Sequence, residues 1–279
     1  MFKTISKLFL TVAVTLTATF SLHAEDDVTA AYNTATYTDA KTVKANLEKA
    51  GFEVLTSYSP AKLKELSVMV FTSADLKALA TKKTRGFAAV QRVVVNSETK
   101  EVRVTNPEYW LKGFLQDDYK EGDAKPVSDA IVKALGTLTA TQDVVESDNL
   151  NGYHFMVGMP YYEDMNEIAE GDDLVATLHK NAKKKQLLFE IKLANGSTLV
   201  GLALKKRTEK FVKKIGMQNA LALPYTVLIE DGKAYALHAK YYVAYSYPLL
   251  SMGEFMGIAT MPGAVEKDLT KFLDRKSVV

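Results

Sequence analysis

Three kinds of side chain in this sequence could do chemistry: soft sulfur ligands, carboxylates and aromatic rings. The sulfur set lies in two stretches, "YHFMVGM" with His154, Met156 and Met159, and "SMGEFMGIATM" with Met252, Met256 and Met261. Thioethers joined by an imidazole suit Cu(I) or Ag(I), soft ions that an exported protein without cysteine would meet. Read as a strand, the first stretch puts His154 and Met156 on one face; read as a helix, the second puts Met252 and Met256 one turn apart. The same residues also make ordinary core, because methionine fills irregular gaps and a histidine can simply bond a neighbouring carbonyl.

The carboxylates gather in "YYEDMNEIAEGDD", with Glu163, Asp164, Glu167, Glu170, Asp172 and Asp173. Oxygen ligands at this density could hold Ca²⁺, but the spacing is not that of an EF-hand, and a solvated acidic loop capping the next helix is the simpler reading. The aromatic set is Tyr109 and Trp110 in one half, and Tyr241, Tyr242, Tyr245 and Tyr247 in the other, with Tyr153, Tyr161 and Tyr162. Such residues either line an apolar cleft, their phenol hydroxyls serving as polar handles for a ligand, or pack an interface between the halves.

Other chemistries are excluded. The chain has no cysteine, which removes disulfides, thiolate metal sites, c-type haem attachment and cysteine nucleophiles. His154, His179 and His238 fall in different expected elements, and no HExxH, GxSxG, Walker-type or GxGxxG pattern occurs. No catalytic residue is selected, and no cofactor is expected, with copper as the alternative.

The first 24 residues read as a signal peptide. Lys3 and Lys7 precede an apolar run from Leu8 to Phe20, and "SLHA" offers a cleavage site before Glu25. The run is short for a bilayer span, which needs about 20 residues. Export without cysteine points to a periplasm, with no transmembrane segment after cleavage. Removing the two lysines leaves 33 basic against 33 acidic residues (35 − 2 against 33). Near-neutral charge and export together argue against nucleic acid. The charge is nevertheless segregated: between Asp143 and Asp173 there are nine acids and no base, and between Lys180 and Lys214 eleven bases against Glu190 and Glu209. Solvated helix faces account for this; the functional alternative is an anionic surface partner docking on Lys180 to Lys214.

The elements that must position these residues occur twice. "VLIEDGKAYA" reads as a hairpin whose Asp231-Gly232 supplies positive φ, and "VVVNSETKEVRV" is its counterpart. The offset is 134 before the turn and 132 after it, pairing Tyr109 with Tyr241 and Trp110 with Tyr242. A helix with Pro126 or Pro262 in its first turn follows each hairpin, carrying the stripe Val127, Ile131, Ala134, Leu135 or Val265, Leu269, Phe272, Leu273. Upstream, Asp39 caps one helix and Asp172 or Asp173 the other; "FEVLTSY" and "LLFEIKL" follow as strands, then "SVMVF" and "STLVGLAL", then the short helices "SADLKALATK" and "KKRTEKFVKKIG". "AYNTATY" and "YHFMVGM" complete the units as leading strands. The reading is α+β: two tandem β-α-β4-α units, residues 25–140 and 150–279, each a mostly antiparallel curved sheet covered by helices on one face, joined across Gly136 to Asn149.

"LALPYTVLIEDGKAYA", with "GFEVLTSY" and "VRVTNPEYW" in the first half, resembles the domain-of-unknown-function 302 family. The resemblance implies the TATA-binding-protein-like fold class, and single-copy members that are often dimeric. A tandem chain could make that pair internally, as a monomer with an internal pseudo-dimer, or form a homodimer. Two departures stand out: Tyr225 follows the Leu-Pro step where many members carry cysteine, and Val90-Gln91 replaces that step in the first half. The family implies no activity to transfer. The resulting expectation is a non-enzymatic binding module for a small ligand or protein partner at the aromatic seam, with Tyr109, Trp110, Tyr241, Tyr242 and Tyr245 as its contacts. The alternatives are a Cu(I)/Ag(I) chaperone or sensor using His154, Met156, Met252 and Met256, and an enzyme of unassigned class.

Overall fold

Caps and turns set the element boundaries in the computed structural model, which describes residues 27–273 except residue 184; the expected signal peptide lies outside the described residues. In chain order the elements are β1 (Val28–Ala30), β2 (Tyr32–Ala35), α1 (Ala40–Lys49), β3 (Glu53–Tyr58), β4 (Leu66–Thr72), α2 (Ala74–Leu79), β5 (Gln91–Asn96), β6 (Glu101–Thr105), α3 (Pro107–Leu115), α4 (Lys125–Leu135), β7 (Leu138–Ala140) and β8 (Val144–Glu146). There follow β9 (Asn166–Glu170), α5 (Leu174–Asn181), β10 (Leu187–Lys192), β11 (Thr198–Leu202), α6 (Lys206–Glu209), α7 (Val212–Ile215), β12 (Tyr225–Glu230), β13 (Lys233–Ala236), α8 (Ala239–Ser246), α9 (Met252–Gly257) and α10 (Met261–Leu273). The Asp39 carboxylate accepts from the Lys41 and Thr42 amides to start α1, and Asp173, not Asp172, caps α5. Asp231 (φ 51°) and Gly232 (φ 73°) close the β12–β13 turn as their types require.

The fold is α+β, with antiparallel sheets. One sheet has the order β3-β4-β5-β6-β2-β7 and the other β10-β11-β12-β13-β9, while β1 pairs with β8. Apart from β7, both large sheets share one winding. A leading strand lies beside the second hairpin strand, and its helix carries the chain to the far edge.

Cross-strand register sorts each side chain to a face. On the first sheet Phe71, Val93 and Val104 share the outer face, where Phe71 meets Phe52, just beyond α1, edge-on at 4.8 Å. Tyr32, Tyr58, Val94, Arg92 and Arg103 share the inner face. That face looks at the second sheet: the Tyr32 hydroxyl donates to the Ser246 carbonyl at 2.7 Å, and Arg92 reaches the Pro224 carbonyl at 3.4 Å. Both faces are therefore covered, which explains why all six residues of β5 are buried. The crossing is reciprocal. The 3-10 turn Gly86–Ala89 ahead of β5 lies on β11 and β12, and the 3-10 turn Met217–Ala222 ahead of β12 lies on β4, β5 and β6. Gly86 is needed there, because a Cβ would overlap the Leu228 side chain. One apolar cluster runs from Ala31 through both sheets to Leu273.

Three expectations need correction. "YHFMVGM" is not a strand; the leading strand is β9, an edge strand in the acidic stretch, paired only with β13. Gly152, Gly158 and Pro160 punctuate the apolar run, whereas β9 holds its register with the Lys233–Glu167 ion pair (2.7 Å) and the half-buried Ile168. The presumed linker from Gly136 to Asn149 is structured: β7 extends the first sheet and β8 pairs with β1, pinned by the Arg103–Asp143 ion pair. "KKRTEKFVKKIG" forms two separate turns, α6 and α7, rather than one helix. Among the described residues no helix is long and apolar enough to cross a membrane.

The break between α6 and α7 accompanies a buried acid. Glu209 is 4% exposed; its two oxygens accept from the Ala61 amide across the interface (2.6 Å) and from the Leu204 amide (3.2 Å). Burial raises its carboxyl from 4.5 to about 7, outweighing the two amide bonds, which act the other way. A raised acid holds its proton in the folded chain after the unfolded chain has released it. Its contribution is thus fully present below pH of about 4.5 and is lost as pH rises through about 7, on the order of 3 kcal/mol in total. Relative to Glu209→Gln, the wild-type unfolding free energy should fall by about 2–3 kcal/mol between pH 5 and 8, read by urea denaturation; parallel pH profiles for the two proteins would contradict this placement of the acid.

Candidate functional site

The aromatic residues singled out in the sequence come together, as a filled seam. Tyr109, Trp110, Tyr241, Tyr242 and Tyr245 are each at most 3% exposed. Asn106 caps α3 and Pro107 opens it, which turns Tyr109 and Trp110 towards α8. The Tyr109 hydroxyl donates to the Tyr245 carbonyl (2.8 Å) and the Tyr245 hydroxyl to the Tyr109 carbonyl (2.6 Å). The Tyr241 hydroxyl points to the Gly113 carbonyl (3.5 Å). The offset of 132 that carries Tyr109 to Tyr241 also carries Gly113 to Tyr245, so the Tyr109 and Tyr241 bonds exchange into one another. Trp110 and its counterpart Tyr242 meet edge to face, centroids 6.3 Å apart. Burial holds the Tyr109, Tyr241 and Tyr245 phenols well above their ordinary range, so all three remain donors. Tyr242 donates to the Ala222 carbonyl at 3.0 Å. With every hydroxyl engaged and no opening to solvent, these five side chains pack the interface and leave no room for a ligand among them.

The histidines stay apart. His154 lies tilted against Tyr161 (centroids 4.4 Å apart), His179 pairs with Glu190 (2.6 Å), and His238 caps α8 by accepting from the Lys240 amide (3.2 Å). Burial, then Lys240, lowers the His238 pKa, consistent with a neutral acceptor ring. Loss of the expected strand removes the alternation that placed His154 and Met156 on one face. Phe155 does stack on Phe255 at 6.2 Å, which sets this loop against α9, where Met252 and Met256 stand one turn apart. Met156, Met252 and Met256 are all exposed. The acidic stretch is spent on structure: Glu163 pairs with Arg85, Glu167 with Lys233, and Asp164 accepts from the Tyr161 amide. Among the described residues no three His, Asp or Glu side chains group to hold a metal.

An open cleft of about 370 Å³ lies elsewhere, between α6–α7 and the passage from α9 to α10. Its walls are mostly apolar, with Phe211, Ile258, Met261 and Ala264 beside Thr208 and Thr260. Phe211 is backed by Tyr247 (6.3 Å), whose hydroxyl is held by the Asn219 carbonyl (2.6 Å), and Met261 is fixed by a 3.3 Å bond from the Tyr225 hydroxyl to its sulfur. Tyr225, which follows the Leu223-Pro224 step, therefore supports the cleft wall. Lys210 and Lys214 stand at the mouth, and Lys214 Nζ donates to the Gly257 carbonyl at 2.9 Å, tying the two walls together. The volume falls within the range of small-molecule sites, about 300–1,000 Å³. An apolar interior with ammonium groups at its entrance favours a ligand with an apolar body and an anionic end. Sequence reading missed this cleft because "KKRTEKFVKKIG" looked like one helix with a solvated basic face.

The seam has a direct test. A Cβ on Gly113 would overlap the Tyr245 phenol. Gly113→Ala should therefore destabilise by about 1–3 kcal/mol, against the gain of about 1 kcal/mol that alanine brings to a helix interior. Tyr245→Phe should cost about 1 kcal/mol for its lost bond. Urea midpoints check both, and a neutral or stabilising Gly113→Ala would contradict the packing. Comparison of the chain with protein-family models, characterised proteins and solved structures returned no match.

Proposed function

We propose that this is an exported, non-enzymatic binding protein whose ligand seat is the lysine-mouthed cleft, and whose aromatic seam serves to lock two related units into one body. The cleft carries the reading, with its apolar walls buttressed from behind by Tyr225 and Tyr247 and its two lysines at the entrance. Export rests on the charge and hydropathy of residues 1–24, and a periplasmic location follows from the same segment together with the missing cysteines. The shared winding of the two sheets supports a duplicated unit of the domain-of-unknown-function 302 type, with the internal pair standing in for a dimer. A small molecule is the favoured partner, since the site is a cleft and not a flat face.

A soft-metal role is the second reading, favoured by the Phe155–Phe255 stack that brings the His154–Met156 loop beside Met252 and Met256. Native mass spectrometry of protein purified from the exported fraction separates the two: an organic adduct supports the cleft, and a Cu(I) adduct lost on mutating the methionines supports the metal. The cleft is tested with 1-anilinonaphthalene-8-sulfonate, an apolar anion. It should bind saturably at one site, and Ala264→Trp, which fills the cleft from α10, should weaken binding at least tenfold with little change in Tm. Unchanged binding in that variant would overturn the assignment.

A further inference from the structure

A cluster of exposed apolar side chains lies beside the cleft and has no role in it. Of the nine large apolar side chains exposed among the described residues, six fall in two short segments: Met156, Val157 and Tyr161 in one, Leu249, Met252 and Met256 in the other. Val157 is 95% exposed, Met256 64% and Leu249 59%. The Phe155–Phe255 stack joins the two segments into one surface. Met252 and Met256 lie one turn apart on α9; Glu254, midway between them, lies on the opposite side of that helix, its carboxylate folded back onto the Ser251 amide and hydroxyl.

This apolar surface is flanked by a cationic one. α7 packs against α9, and Lys214 bonds the last residue of α9. Lys206, Lys210, Lys213 and Lys214 are exposed, and none makes an ion pair among the described residues. The one acid between residues 205 and 214, Glu209, is turned inward onto the Ala61 and Leu204 amides and leaves the lysines unneutralised. Flexible thioether and aliphatic side chains beside unneutralised ammonium groups match a surface that is apolar below and anionic above.

We propose that this face docks the protein on the surface of an anionic phospholipid bilayer: Leu249, Met252, Met256 and Val157 enter the headgroup–acyl boundary and Lys206, Lys210, Lys213 and Lys214 meet the lipid phosphates. The docking is peripheral and reversible. It does not depend on what occupies the cleft.

Co-sedimentation of the full mature chain with vesicles tests it. The protein should pellet with equimolar phosphatidylglycerol and phosphatidylcholine, remain in solution with phosphatidylcholine alone, and lose binding as salt is raised. Met252→Ser with Met256→Ser should weaken binding at least fivefold, and so should Lys206→Gln with Lys213→Gln; these positions are exposed, and an unchanged Tm verifies the fold. Ala264→Trp should leave vesicle binding intact, so that failure of the ligand site and failure of the docking surface give different results. Absence of binding to anionic vesicles overturns the proposal, as does binding that both double variants retain. Loss only in Ala264→Trp also overturns it, in favour of lipid capture by the cleft. Concentration-dependent dimerisation abolished by the methionine variant, without vesicle binding, would assign the face to a second copy of the chain.

Discussion

A reciprocal pair of hydrogen bonds between tyrosine hydroxyls and main-chain carbonyls, buried between the two sheets, organises the molecule. Leaving a buried hydroxyl unpaired costs about 1–3 kcal/mol; Tyr109, Tyr241 and Tyr245 avoid this at main-chain carbonyls of the opposite half and Tyr242 at the Ala222 carbonyl of its own, while the Tyr58 hydroxyl on β3 is left without a partner. Tyr109 and Tyr245 exchange bonds to each other's carbonyls. The exchange fixes the two helices at one distance and one register. From that follow the glycine at position 113, the edge-to-face contact of Trp110 with Tyr242, and the crossing of each 3-10 turn onto the opposite sheet. Arg92 and Glu209 belong to the same interface, each bonding main chain of the other half. The seam is a joint, and its completeness leaves no ligand space among its rings.

Much of the fold was legible because its determinants are local. Asp39, Asp173, Pro126, Pro262 and the Asp231-Gly232 turn act within a few residues, and the stripes of α4 and α10 are one-dimensional patterns. The repeated order of elements could be read because the hairpins keep a nearly constant offset. β9 could not, since an edge strand with one flank in solvent holds its place with Glu167 and Lys233 and carries little apolar signal. The run His154 to Met159 has the apolar content of a strand, but glycines break its backbone.

The candidate site was legible only in its parts. The aromatic residues were found, but whether they would line a space or fill it is decided by tertiary fit, here by the bare surface of Gly113 under Tyr245. The basic segment was found as well, and its sign suggested an anionic partner. Its division into α6 and α7, with Glu209 turned inward and Phe211 forming a wall, depends on contacts more than 100 residues away in sequence, such as that with Ala61. Methionines that looked like a ligand set are distributed between a core position, Met261, and open surface at Met252 and Met256.

The central claim is that the two sheets share one core through the seam and cannot unfold independently. Trp110 is the chain's only tryptophan and sits in that seam, so its fluorescence reports the joint while far-UV circular dichroism reports both sheets. Equilibrium urea unfolding followed by both signals should give a single coincident transition. Two separated transitions, with tryptophan following only the first, would show that the halves stand alone and that the seam is not what holds them.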